Sequence, residues 1–127
     1  MKALKVLPGC SPKLVDISED LDSLQNEVEG YIQVLYPFED KVGIVCNEEG
    51  KLIGLEANRV MQDEDGEIYD IICGPFLIVG LGDEDFVDLS SDMIDKYIEM
   101  YKVPEYFVRT KYDGVVILRG NEKFVIG

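Results

Sequence analysis

The chain has 127 residues, 46% of them hydrophobic, and a formal net charge of −14. That length and apolar content fit one folded domain and exclude a disordered chain, and no apolar run nears the roughly 20 residues of a spanning helix. So much acid repels nucleic acid and anionic membrane, which excludes both as direct partners and favours basic protein surfaces.

Lys2 to Leu7 alternates polar and apolar side chains and ends at Pro8-Gly9, which predicts a short strand. Ser18 is expected to open a helix, with Glu19, Asp20 and Asp22 in a first turn where the helix dipole favours negative charge. Leu21, Leu24 and Val28 recur on one face, and Gly30 is placed to end that helix. Tyr31 to Tyr36 predicts a strand stopped by Pro37, its two tyrosines of opposite parity so that one faces outward. Val42 to Cys46 predicts another apolar strand, and Asn47-Glu48-Glu49-Gly50 the turn after it. Leu52 to Val60 fits either a helical turn or a loop around Asn58-Arg59. Asp63 to Gly66 is a hairpin-type turn, and Ile68 to Gly82 a long apolar strand interrupted at Gly74-Pro75. Ser90 or Ser91 caps a second helix with Ile94, Tyr97, Ile98 and Tyr101 on its buried face, closed by Pro104. Tyr106 to Arg109 is a short extended segment, and Val115 to Ile126 a terminal strand pair. Two helices among five to seven short strands make a single α+β domain over residues 1–127, with a mixed or mainly antiparallel sheet.

Cys10, Cys46 and Cys73 lack CxxC spacing, and the chain has no histidine. They are read as free thiols of a reducing compartment, Cys46 and Cys73 buried in apolar strands. The N-terminus lacks the apolar core of a signal peptide, so the chain is expected in the cytoplasm. Asp63-Glu64-Asp65-Gly66-Glu67 invites a calcium-loop reading, but setting Gly66 at the sixth position puts Met61 and Ile72 where the end carboxylates belong. Gly80-Leu81-Gly82 follows a strand as a phosphate loop would, yet Asp83-Glu84-Asp85 comes next and would repel phosphate. Without histidine or a serine-nucleophile motif nothing singles out a base or nucleophile, so no catalysis, metal or cofactor is expected.

The order and spacing of Leu21-x-x-Leu24-Gln25-x-x-Val28-x-Gly30-Tyr31-Ile32, Asn47-Glu48-Glu49-Gly50-Lys51-Leu52, Asn58-Arg59 and Gly74-Pro75-x-Leu77-Ile78-Val79-Gly80 resemble a family of small domains of unknown function. Such domains are common in bacteria, their phages and other mobile elements. The likeness spans residues 3–82 and loosens through the second helix, and Gln33 departs from the acid the pattern expects there. The resemblance implies context rather than chemistry: small acidic proteins of phages and mobile elements often bind and block host defence machinery.

Two functional expectations follow. Residues 14–95 carry 22 acidic and three basic side chains. The first expectation is a non-enzymatic phage or mobile-element protein that engages a host protein with a basic surface. Asp63, Glu64, Asp65, Asp83, Glu84 and Asp85 would make the contact, imitating the charge of DNA and inhibiting host defence. Simple solubility accounts for the same charge. The alternative is a pocket for a small polar or anionic ligand, such as a signalling nucleotide, built from Gln25, Asn47, Glu48, Asn58 and Arg59. Arg59 would be its anion contact. Turn formation alone also explains Asn47 and Gly50.

Overall fold

A computed structural model describes residues 1–112 and 114–126. In chain order its elements are β1 (Lys2–Val6), β2 (Lys13–Asp16), α1 (Leu21–Val28), β3 (Ile32–Leu35), β4 (Val42–Asn47), β5 (Ala57–Gln62) and β6 (Ile68–Cys73). Then follow β7 (Phe76–Leu81), β8 (Phe86–Val87), α2 (Ser91–Tyr101), β9 (Glu105–Arg109), β10 (Val115–Arg119) and β11 (Glu122–Ile126).

One sheet has the order β2-β1-β7-β4-β3, with β8 also paired to β7; β5 and β6 form a hairpin, and β11-β10-β9 a third sheet. Every pairing is antiparallel. Successive residues of β7 point to opposite faces. Phe76 and Ile78 join Leu4, Val6, Val42 and Ile44 in one buried layer, with Tyr97 and Tyr101 of α2 and Met61 and Ile72 of the β5–β6 hairpin. Leu77 and Val79 join Ala3 and Val45 against Leu24 and Val28 of α1. Because both faces of the central strand are covered, Phe76 to Val79 is an unbroken apolar run instead of an alternating one.

The α+β reading and the two helices stand, but among the described residues eleven strands replace the expected five to seven. Lys13–Asp16 forms an edge strand that the sequence reading does not include; only Val15 of its four side chains is half-buried and the rest are exposed, so it shows no apolar run. Ile68 to Gly82 is two strands in two sheets, since Gly74 at φ +87° turns the chain between them. A Cβ there would also lie 2.6 Å from Leu55 Cδ1. The ambiguous stretch before Val60 holds a β-bulge at Asn58, whose side chain donates to the carbonyls of Val6 and Gly74, both at 2.9 Å.

Asp20 caps α1 in place of Ser18, accepting from the Ser23 amide at 2.9 Å, while the Ser18 hydroxyl donates to the Asp20 carboxylate. The helix ends at Glu29 in the left-handed region, one residue before the expected Gly30. Ser90 caps α2 as read. Tyr31 and Tyr36 flank β3 and both are exposed, so their parity within a strand does not apply. Among the described residues no helix is long and apolar enough to cross a membrane.

Candidate functional site

Four segments meet around a groove of about 600 Å³: the link Pro37–Asp40 before β4, the β5–β6 hairpin, α2, and the β9–β10 pair. Phe38, Val60, Tyr97, Met100 and Tyr101 supply its apolar surface. Glu39, Asp40, Asp63, Glu64 and Glu105 supply five carboxylates against the two cations Lys96 and Arg119.

At one end the Tyr97 hydroxyl donates to Asp40 at 2.8 Å, and the Lys96 ammonium donates to the same oxygen at 2.6 Å. The Phe38 ring packs on Tyr97 with centroids 4.7 Å apart. Burial, and then the Asp40 carboxylate, push the Tyr97 hydroxyl well above the ordinary tyrosine range, so it stays a neutral donor. At the other end Glu105 is almost fully buried yet fully engaged. One of its oxygens accepts from the Val60 amide at 2.7 Å and the other from Arg119 Nε at 2.8 Å. Arg119 reaches on to Gln62 Oε1 at 2.9 Å, so the Glu105–Arg119 pair inside the third sheet is tied to β5 by two hydrogen bonds, through Val60 and Gln62. An apolar floor under an acidic rim suits lysine and arginine side chains, whose stems pack on rings while their heads meet carboxylates.

Lys96 first, and Tyr97 second, hold the Asp40 carboxyl below its ordinary value of 3.8. A carboxylate depressed in the folded state stabilises above its unfolded pKa, and that contribution is lost as pH falls through the folded one. Asp40→Asn is therefore expected to lower the urea midpoint at neutral pH, with a deficit that shrinks below about pH 4. A deficit of constant size from neutral pH to about pH 3 would remove the ion pair as its cause.

The acidic residues singled out in the sequence separate into two places. Asp63 and Glu64 line the groove, and Asp65 lines a cavity next to it with Pro37 and Tyr69. Glu84 and Asp85 lie across the main sheet, beside Leu21 and Leu24 of α1 in a cavity of about 400 Å³, with Asp83 in the same turn between β7 and β8. The two triplets do not form one continuous string of charge.

The five polar residues of the small-ligand reading do not converge. Asn47 and Glu48 line a cavity of about 230 Å³ with Lys51, Asp70 and Cys73. Asn47 itself is a brace: its Nδ2 donates to the Val28 carbonyl at 3.1 Å and its Oδ1 accepts from the Glu49 amide at 2.8 Å. Gly30 and Gly50 are needed at this joint, because a Cβ would fall 2.6 Å from Asn47 Nδ2 and 2.6 Å from the Cys73 carbonyl respectively. Gln25 sits half-buried on α1, and its carbonyl accepts the amides that close the helix. Asn58 and Arg59 are wholly buried elsewhere. Arg59 spends both terminal nitrogens of its guanidinium on protein oxygens, the Cys10 carbonyl at 2.6 Å, the Tyr101 carbonyl at 2.9 Å and Asn58 Oδ1 at 2.8 Å, while its buried Nε has no hydrogen-bond partner among the described residues. Of the cysteines read as buried, Cys46 is, and Cys73 is half-buried; Cys10 is exposed. Desolvation pushes the Cys46 thiol up to about 11, so it stays protonated and unreactive at neutral pH.

A comparison with family models matches residues 1–102 to the family described as domain of unknown function DUF3846. The chain belongs to this family. No curated protein and no solved structure matched the chain. The DUF3846 match ends just after α2, so β9, β10 and β11 lie beyond it. Several residues of the pattern noted in the sequence hold the fold together. Leu24, Val28, Leu77 and Val79 form one core layer, and Asn47, Gly30 and Gly50 form the joint beside it.

Sequence reasoning missed Asp40, Lys96, Tyr97, Glu105 and Arg119 as groove residues. Lys96 and Tyr97 reach Asp40 across 56 and 57 residues of chain, and Glu105 reaches Val60 across 45. A weak signal existed in Glu105, one of only three acids after Lys102.

Proposed function

We propose that the protein is a non-enzymatic binding module that holds a basic segment of a protein partner in the groove beside α2. The observation that carries this reading is an apolar floor of Phe38, Tyr97 and Met100 rimmed by Glu39, Asp40, Asp63 and Glu64. Two of the acids first expected at a partner surface, Asp63 and Glu64, stand on that rim. Cationic heads would meet carboxylates while their stems cover the rings. In its specific form the partner is a host defence protein whose basic surface otherwise holds nucleic-acid phosphates, and the carrier is a phage or other mobile element. The net charge of −14 supports that form.

The test is titration of a lysine- and arginine-rich peptide by fluorescence anisotropy at low and high salt. Affinity is expected to fall steeply with salt, because exposed charges are screened beyond about 8–10 Å at physiological ionic strength. Asp63→Lys with Glu64→Lys should weaken binding by about tenfold or more, mostly through association rate. Affinity indifferent to both salt and charge reversal would sink the proposal.

A further inference from the structure

The third sheet has two unlike faces. Register places Phe107, Ile117 and Phe124 side by side on the inward face, with Glu105 and Arg119 paired on that same face. The outward face then carries Tyr106 beside Leu118 and Lys123, and Val108 beside Val116 and Val125. Tyr106 is 57% exposed, Val108 50%, Leu118 39% and Val125 71%. An apolar cluster of this kind on an otherwise highly charged domain marks an interaction surface.

We propose that this face is the interface of a homodimer, with the third sheets of two copies stacked face to face. Charge selects a second copy as the occupant. Residues 1–102 hold 23 acidic and eight basic side chains, a net −15, so two copies repel each other over most of their surface. Residues 103–127 hold four basic residues (Arg109, Lys111, Arg119, Lys123) against three acidic ones (Glu105, Asp113, Glu122), a net +1. Two copies that meet through this stretch avoid that repulsion between acidic surfaces. The Glu105–Arg119 pair and the Arg119–Gln62 bond hold the sheet in one orientation on the body, so the face is presented ready-made.

Size sets the strength. Three strands about 4.8 Å apart, each with five residues at about 3.4 Å, make a tile of roughly 250 Å² in projection. With the relief of the side chains, two tiles bury about 1,000 Å² in all, the lower end for a specific contact. A contact at that lower end is expected to be weak and transient.

Sedimentation equilibrium over about a hundredfold range of concentration, reaching several hundred micromolar, tests this. A monomer–dimer equilibrium is expected, and it tightens with salt because screening removes repulsion between the acidic bodies. That salt response is opposite in sign to the one expected for a basic peptide in the groove, so the two ideas fail separately. Val125→Glu should raise Kd by about tenfold or more without lowering the thermal midpoint of the dilute monomer. Leu118→Lys, on the neighbouring strand, provides a second variant should the first misfold. A monomer at every concentration and salt, a dimer that weakens with salt, or a dimer that both variants leave intact would each overturn the proposal.

Discussion

Arg59→Ala is expected to lower the free energy of unfolding by about 3–5 kcal/mol, the largest effect of any single change considered. None of Arg59 is exposed, and its guanidinium joins three parts of the fold. Its donors reach the turn after β1 at the Cys10 carbonyl, the end of α2 at the Tyr101 carbonyl, and its own strand at Asn58. Removing it leaves those acceptors without a donor and opens a cavity in their midst. Desolvation lowers its pKa and Glu105 opposes that shift, yet a guanidinium remains charged at any physiological pH. Arg59→Lys should recover little, since one ammonium does not span acceptors arranged for a planar fork. Urea unfolding measures both variants, and a loss below about 1 kcal/mol for alanine would show that the clamp is dispensable. The same result bears on the small-ligand reading. A variant that unfolds the protein does not report on ligand uptake, so Arg59→Ala is not a clean probe of an anion site.

Glu105→Ala is the second large effect, an expected loss of about 2–4 kcal/mol. The substitution strips the Val60 amide of its acceptor and leaves the Arg119 guanidinium facing the protein without its carboxylate. Glu105→Gln keeps an acceptor for Val60 but loses the charge opposite Arg119, so its cost should be intermediate. The damage is expected to be local before it is global. Hydrogen exchange in residues 105–126 should quicken more than in β4 and β7 of the main sheet, because Glu105 and Arg119 bond the third sheet to β5. Equal acceleration in both sheets would show that Glu105 supports the whole core instead. By loosening the sheet that carries Tyr106 and Val125, this variant should also weaken the proposed dimer.

Elements stabilised by neighbours in sequence were legible in advance. Ser90 accepts from Met93 three residues on, and the Asp63 carboxylate accepts from the amides of Asp65 and Glu67 within its own turn. The stripe of α2, Leu24 and Val28 of α1, and the strands β1, β4 and β10 came from periodicity and apolar runs alone, whereas Leu21, expected on the α1 stripe, is exposed and β7 was joined to β6. Strand β5 was not legible in this way. Its Ala-Asn-Arg opening is polar by composition and buried only because the bulge at Asn58 turns amide and guanidinium toward carbonyls of distant segments.

By itself, then, the sequence determined the class of fold, most of the core and the size of the net charge, since caps, turns and apolar spacing act within a few residues. Tertiary structure alone decided where that charge lies. It brought Asp63 and Glu64 onto one groove with Asp40 and Lys96, left Asp83 to Asp85 across the main sheet, and withdrew Arg59 from solvent. The physical reason is range. The groups that settle these places, Tyr97 on Asp40, Glu105 on Val60 and Arg59 on Cys10, lie 57, 45 and 49 residues apart and meet only once the sheets have packed.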